Sequence, residues 1–549
     1  MTERLDAIVI GSGASGVHAA FPLVEAGLRV VMLDVGHEDL AYERLIPPAP
    51  FVDIRKSDGN QHRYFLGDRL EGVSIGAADA GPQITPPRAY VLKDSQRLAP
   101  KRARSFEPLE SFAVGGLARA WGAVAFPFRN VELSRCGLPA ADLPEHYEIV
   151  ARRIGISGQS DDDLCSVRGP LAALQPPLRL DHNAAAILDR YADVRNRSLR
   201  DGFHMGQTVL AALSEALGNR EPNSYSDMDF WSNHGRSVYR PNITLDELRG
   251  RPNFIYRSGF LVSGFSETGD KAVRVIGNIL EDNTQETLTA RSLVLAAGSL
   301  GTTRLVLRSL GMYDHSVPFA CNPHTYMPCL HYRGLALSHA DRCHSLAQLT
   351  IIYDPTMDCE HLVQAQMYSY RSLHLFRLLK ETPLPHREGL RIMRALAPHF
   401  VIWVIQHEDV PTPGKYCVLR RGREPADETL EIEYGDSTEE RARREQHEKR
   451  IAGFVRLLGC LPLKRVHAIH GSSVHYAGQF PMTHEDRPLT TEPSGRLRGT
   501  RAVYLADGAA FAYLPAKGPT LTLMANANRI GVNVRERLRA RPRRARGLD

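Results

Sequence analysis

The sequence predicts an α/β protein in which a parallel-sheet unit, assembled from distant parts of the chain, is packed against a second, α+β unit built on its own sheet. Three observations predict it. A complete strand, glycine turn, helix, strand unit lies at Asp6–Asp34, and a strand ending in Asp507-Gly508 and leading into a helix lies near the opposite end. The chain also has 549 residues, beyond the size at which one core stops growing, so two packed domains are expected.

Composition narrows the class. A hydrophobic share of 43% and a charged share of 24% are those of an ordinary globular protein and exclude a disorder-dominated chain. The net charge of +6 sits mostly in Arg535–Asp549, which holds seven Arg against two acids. Such a tail can attract nucleic acid or anionic lipid, but a solvated terminus is the simpler reading, and no nucleic-acid partner is expected. Met1–Leu5 carries Glu3 and Arg4 and runs into a short apolar stretch broken by glycines. No signal peptide and no run of membrane-spanning length is expected, which points to the cytoplasm. Eight cysteines without a Cys-x-x-Cys pair read as reduced thiols.

Asp6–Ile10 is a β-branched run, Val17–Ala26 suits a helix closed by Gly27, and Arg29–Leu33 is a second strand ending at Asp34. Between them stands Gly11-Ser12-Gly13-Ala14-Ser15-Gly16. Gly11 allows the tight turn, Gly13 lets the backbone approach a pyrophosphate, and Gly16 lets helix and strand pack closely, a Rossmann-like arrangement. Helix-start amides, including those of Ala14 and Ser15, face phosphate charge. Asp34 can accept hydrogen bonds from ribose hydroxyls and would repel a 2′-phosphate, which favours FAD or NAD over NADP.

Residues 37–101 are polar and rich in proline and predict a surface excursion with some short strands that covers the cofactor. Val114–Gly122 brings Gly115, Gly116, Trp121 and Gly122 together, where backbone could lie against a flat ring; a flexible loop is the alternative. Asp142–Ile154 predicts a helix, and Asn253–Tyr256, Phe260–Phe265, Ala272–Ile279 and Ser292–Ala296 predict strands, the last leading into Ala297-Gly298. Between about Val317 and Ile469, β-rich runs such as Ala347–Tyr353 and Phe400–His407 alternate with helices, and Glu439–Leu458 predicts a long helix with a solvated charged face. Val503–Gly508 and a helix over Leu521–Val534 supply a third cofactor piece, so the cofactor domain is discontinuous.

Taken together, the amino-terminal glycine motif, the Gly-Gly-x4-Trp-Gly loop, Leu293–Gly301 with Arg304, His475-Tyr476-Ala477-Gly478 to Met482, and Tyr504–Arg529 resemble segments of the glucose-methanol-choline (GMC) flavoenzymes, in that family's order. The likeness spans nearly the whole chain and is weakest over about Val317–Ile469. It implies FAD, with the pyrophosphate at Gly11, Gly13 and Gly16, the ribose at Asp34 and adenine beside Val262. The flavin would lie near Gly115, Gly116, Trp121 and Gly122, with Asp507, Gly508, Pro519 and Thr520 at its ribityl and pyrimidine end. Some relatives tether FAD through a histidine before the glycine-rich loop; Lys101–Ala113 contains none, so FAD is expected to be non-covalent. The expected division is an FAD-binding domain at 1–165, 241–312 and 485–534, a substrate domain at 166–240 and 313–484, and a basic tail at 535–549.

Oxidising an alcohol at a flavin removes a hydride and a proton, and the proton needs a base within hydrogen-bond reach. Histidine suits the task because its ordinary pKa lies near operating pH. Among 22 histidines, His475 matches the segment that carries the catalytic histidine in the resembled family. That family also places an Asn or His before the Pro-Thr of the last motif, whereas here Gly518 precedes Pro519-Thr520. Lys517, His470 or a water is expected to replace it, or the reaction differs. The expected substrate is a small hydroxyl compound, a sugar, polyol or secondary metabolite, with oxygen or another acceptor taking the electrons. The alternative is an FAD-containing lyase or other non-redox enzyme on the same fold, and a third class is a non-catalytic FAD-binding protein. Cys321, His324, Cys329, His331, His339, Cys343 and His344 are residue types that bind zinc, but their spacings match no familiar site and no metal is expected.

Overall fold

The computed structural model describes residues 5–39, 41–70, 86–269, 272–336, 342–369, 385, 387–389, 391, 396–422 and 428–540. The Arg-rich stretch beyond 540 and His339 lie outside the described residues.

The first sheet is parallel at its centre. Leu5–Ile10 runs between Val30–Leu33 and Gln285–Leu295, parallel to both, and Phe254–Arg257 extends the sheet beyond Val30–Leu33. Strands covered on both faces read as unbroken apolar runs; accordingly Ala7, Ile8 and Val9 are fully buried, as is Leu33. Gln285–Leu295 has two neighbours on its other side. Its first half pairs antiparallel with Val273–Ile279, which in turn pairs with Phe260–Glu267, and its last residues pair parallel with Val503–Leu505. Helices Ala14–Glu25 and Thr520–Arg539 pack on each other over one face of this sheet. The first helix begins three residues before the sequence expectation, because Gly13 is its N-cap and Ala14 and Ser15 already belong to its first turn.

Among the described residues the second sheet has seven strands and is antiparallel. In spatial order it runs Cys460–Pro462, His324–His331, Phe400–Gln406, Val363–Ser369, Leu349–Tyr353 and Phe203–Gln207, with Val466–His467 also on the His324–His331 strand. Side chains alternate across such a sheet. One face sends Met327, Trp403, Ile405, Ala365, Ile351 and Phe203 into a core with residues of helices His182–Arg200 and Thr438–Leu457. The alternate positions carry His324, Tyr326, Gln406, Gln364, Gln366 and Tyr368, and this polar face points the other way.

The excursion over 37–101 differs from expectation. Its described parts form short helices, Phe51–Ser57, His62–Phe65 and Ser95–Leu98, plus a 3-10 turn over Pro86–Leu92. Among the described residues the first strand after Leu33 is Lys101–Arg104. Ile46, Phe51, Ile54, Tyr64 and Phe65 bury themselves against Met228 and Trp231, and this small core of its own favours helix over extended chain. Among the described residues no helix is long and apolar enough to cross a membrane.

Candidate active site

A cavity of about 1250 Å³ opens at the carboxyl ends of the parallel strands, where Ile10, Leu33 and Ala296 reach its wall. Open α/β sheets bind ligands at this end. Small-molecule sites usually measure ~300–1,000 Å³, so the volume suits a dinucleotide together with a second small molecule.

The wall at the glycine turn is backbone. Gly11, Gly13, Ala14 and Ser15 line it, while Gly16 sits behind them. A Cβ on Gly16 would stand 1.9 Å from the Gly11 carbonyl oxygen, so only glycine lets the helix start this close to the turn. A Cβ on Gly13 would meet nothing nearer than the Gly115 carbonyl at 4.0 Å, which leaves space in front of the first helix turn for phosphate oxygens.

Asp34 closes the next strand and lies on the wall. Its Oδ2 accepts from the Ser12 amide at 3.2 Å and from the Tyr256 hydroxyl at 3.3 Å, and also from the Ser12 hydroxyl. Burial outweighs these hydrogen bonds and pushes its pKa up to about 6. The Ser12 hydroxyl also accepts from the Gly115 amide at 3.0 Å, so one side chain ties the first glycine turn, the acid and the second glycine loop together. Sequence reasoning missed this role, although Ser12 lies inside the motif it had singled out.

In the second glycine loop Gly116 and Trp121 line the cavity. Gly115 stands one layer back, in the left-handed region at φ +87°, and Gly122 also lies off the wall. The Trp121 indole N–H donates to the Tyr239 carbonyl at 2.8 Å. Farther along, Val262, Ala297 and Gly298 reach the wall, as do Asp507, Gly508, Pro519 and Thr520. Asp507 is buried; it accepts from the Thr302 hydroxyl at 2.5 Å and the Ala509 amide at 3.1 Å, and burial lifts its pKa to about 6. Gly508 has no room for a side chain, since a Cβ there would lie 2.4 Å from the Tyr476 carbonyl.

That carbonyl brings the His475 segment onto the same wall. Val474, His475 and Tyr476 all line the cavity. The segment is firmly anchored: the Tyr476 hydroxyl donates to the Gly471 carbonyl at 2.6 Å and accepts from the Leu109 amide at 3.0 Å. Ser473 Oγ lies 3.2 Å from Cys321 Sγ. Val474 is held at φ +56°, a left-handed conformation that costs a β-branched residue roughly 1–3 kcal/mol and is typical of segments that aim a functional group. The half-buried His475 ring has Nδ1 3.0 Å from the Gln406 side-chain amide. Burial, helped by the neighbouring His324 ring, pushes its pKa down to about 3, so the ring is neutral and able to accept a proton.

Gly518 faces this ring; among the described residues a Cβ there would meet only His475 Cε1, at 3.8 Å. The side chains expected to stand in for the missing one lie elsewhere. Lys517 is fully buried away from the cavity wall and donates to Glu132 at 2.6 Å. A charge in that position needs its partner more than it needs a substrate. His470 is held by Asp436 at 3.0 Å and is likewise off the wall. Among the described residues no group of three or more His, Cys, Asp or Glu could hold a metal ion.

Residues 428–527 match the GMC oxidoreductase family. Paromamine 6′-oxidase of Streptomyces fradiae is 28% identical over 313 residues, 56% of this chain and 50% of that protein. The 6‴-hydroxyparomomycin C oxidase of Streptomyces lividus is 23% identical over 547 residues, 95% of this chain and 90% of that protein. The match with the first relative thus spans about half of its length. The solved structure of an FAD-dependent oxidoreductase from Chaetomium thermophilum, bound to a butanamide fragment, superposes with a TM-score of 0.57 at 15% identity, covering 98% of this chain and 100% of that one; this likeness speaks to the fold. The chain thus carries a match to the GMC oxidoreductase family over residues 428–527, and its fold is similar to that of an FAD-dependent oxidoreductase.

Proposed function

We propose that the protein oxidises a hydroxyl group of a small sugar-like molecule, with an amino sugar as the favoured class, and that His475 is the general base. The observation that carries this reading is a neutral imidazole on the cavity wall, facing Gly518 and next in the chain to Tyr476, whose carbonyl meets Gly508. The amino-sugar class is supported by the printed names of the two Streptomyces relatives.

FAD, when bound, supplies the two-electron acceptor for the hydride. Residues Gly11–Gly16 and Asp34 would hold its pyrophosphate and ribose, and Gly116, Trp121, Asp507, Gly508, Pro519 and Thr520 its flavin end. His475 takes the hydroxyl proton as the C–H bond breaks. An alcohol is far too weak an acid to lose that proton unaided near neutrality. The Tyr476 and Ser473 anchors hold the ring in place, so little reorganisation is left for the reaction itself.

Replacing His475 by Ala is expected to lower turnover by about 10²- to 10⁴-fold while the flavin absorbance of the purified protein is retained. Unchanged turnover would remove His475 from the reaction. Anaerobic mixing with a panel of amino sugars and polyols tests the redox reading itself: bleaching of the flavin band supports it. Product formed without bleaching would favour the non-redox alternative that Gly518 raises.

A further inference from the structure

Gln406 ends a strand of the antiparallel sheet, with His324 directly opposite it on one neighbouring strand and Gln364 on the other. It is 3% exposed. Its amide reaches from the sheet to His475 Nδ1 at 3.0 Å, and the His324 ring stands perpendicular to His475 with centroids 5.9 Å apart. Among the described residues His324 Nε2 is buried without a well-formed hydrogen bond, yet the Gln406 side chain stands close enough to pull the ring's pKa up against burial. One amide therefore stands between two imidazoles.

A neutral imidazole has one N–H and one lone pair, and the group facing one nitrogen decides the state of the other. With the amide NH₂ toward His475, Nδ1 accepts and Nε2 carries the hydrogen, so Nε2 has no lone pair for a substrate proton. A half-turn of the amide exchanges its oxygen and nitrogen without altering its outline. Nδ1–H then donates to the amide oxygen and Nε2 is left bare. His324 satisfies the amide in this orientation by accepting from its NH₂, because a neutral ring offers a lone pair as readily as an N–H. Both rings are kept neutral by burial, His324 at about 4 and His475 at about 3.

We propose that Gln406 is a positioning residue whose side-chain oxygen, backed by His324, holds His475 as the Nδ1–H tautomer and leaves Nε2 free for the substrate hydroxyl. The step it prepares is a plain proton transfer: the substrate O–H bond breaks and an Nε2–H bond forms. The inference rests on His475 being the base, and it supplies from behind the ring the polar order that Gly518 does not provide.

The test is spectroscopic as well as kinetic. In holoenzyme labelled with ¹⁵N-histidine, the His475 resonances are those absent from His475→Asn. They are expected to report Nδ1–H, and an Nε2–H tautomer in the wild-type protein would overturn the proposal. Gln406→Glu at pH 8, where the carboxylate only accepts, is expected to keep that tautomer and hold kcat within about tenfold. Gln406→Met, which fills the space without a hydrogen bond, is expected to lower kcat about 10²-fold with KM within about threefold. Wild-type kcat in Gln406→Met would equally overturn it. Should that variant not fold, the wild-type spectrum and Gln406→Glu still decide. An active His475→Ala protein would sink the general-base reading instead, while the tautomer spectrum continues to report on Gln406.

Discussion

The cavity wall and the layer behind its His475 stretch are made of different material. On the parallel-sheet side the wall is main chain: turns that admit no Cβ at Gly16 or Gly508, helix-start amides, and acids already engaged by Ser12, Tyr256 and Thr302. Behind His475 the antiparallel sheet contributes side chains, with Gln406 and His324 in register on neighbouring strands and the Gln406 amide reaching His475. The first material accepts one ligand shape and tolerates almost no change. The second can be re-equipped residue by residue without disturbing the sheet beneath, because the opposite face carries the packing core.

The contrast can be broken or sharpened experimentally. The largest effect is expected at Gly16→Ala, where the new methyl would meet the Gly11 carbonyl at 1.9 Å. Backbone cannot swing aside as a flexible side chain can, so the variant is expected to lose about 3 kcal/mol or more and to purify without flavin. A yellow Gly16→Ala protein with wild-type melting behaviour would mean that the main-chain wall is more forgiving than described. Next comes Lys517→Met, which strips Glu132 of its buried partner and is expected to cost about 3–5 kcal/mol in urea unfolding. The double variant Lys517→Met, Glu132→Leu is expected to recover most of that loss. Full stability in the single variant would show that the pair contributes nothing to this segment.

The smallest effect is one of pH. A ring whose folded pKa is depressed stays unprotonated until the pH falls to that value, so the acid limb of kcat/KM is expected well below the ordinary histidine value of about 6.5. A limb centred at that ordinary value would contradict the burial of His475. Stability carries the same signature. The unfolded chain protonates its histidines first, so His475 and His324 subtract stability as pH falls from about 6.5. Asp34 and Asp507, raised to about 6, act in the opposite sense. They bind protons in the folded state first and add stability as pH falls from about 6 toward the ordinary carboxylate range.

The same contrast explains what could be read in the sequence. The glycine turn, the Asp34 position and the Asp507-Gly508 turn were legible because backbone geometry imposes residue types at fixed local spacing. The two-sheet α/β organisation followed from nearly unbroken apolar strands such as Val30–Leu33 and from the length of the chain. His475 was legible through the resemblance of its segment to a known family. Gln406 was not, since it is an ordinary glutamine at the end of the Phe400–His407 run, and its importance arises only when sheet pairing sets it against His324, far away in the chain. Lys517 was misjudged for the converse reason: its neighbours in sequence point to the site, while its side chain turns to Glu132. The 37–101 segment was read as a surface excursion with some short strands because its prolines stand out and its partners, Met228 and Trp231, do not.

Val503–Leu505 completes a sheet that Leu5–Ile10 begins, and the helix that follows it lies across Ala14–Glu25. On the ribosome, at about 5–20 residues per second, the early part of this unit therefore waits some tens of seconds for its counterpart. During that interval Ile8, Val17 and their neighbours have no complete cover, so chaperone capture is expected to favour the nascent chain over the finished enzyme. Cofactor supply would matter at the close of synthesis, when the last piece of the nucleotide cradle emerges.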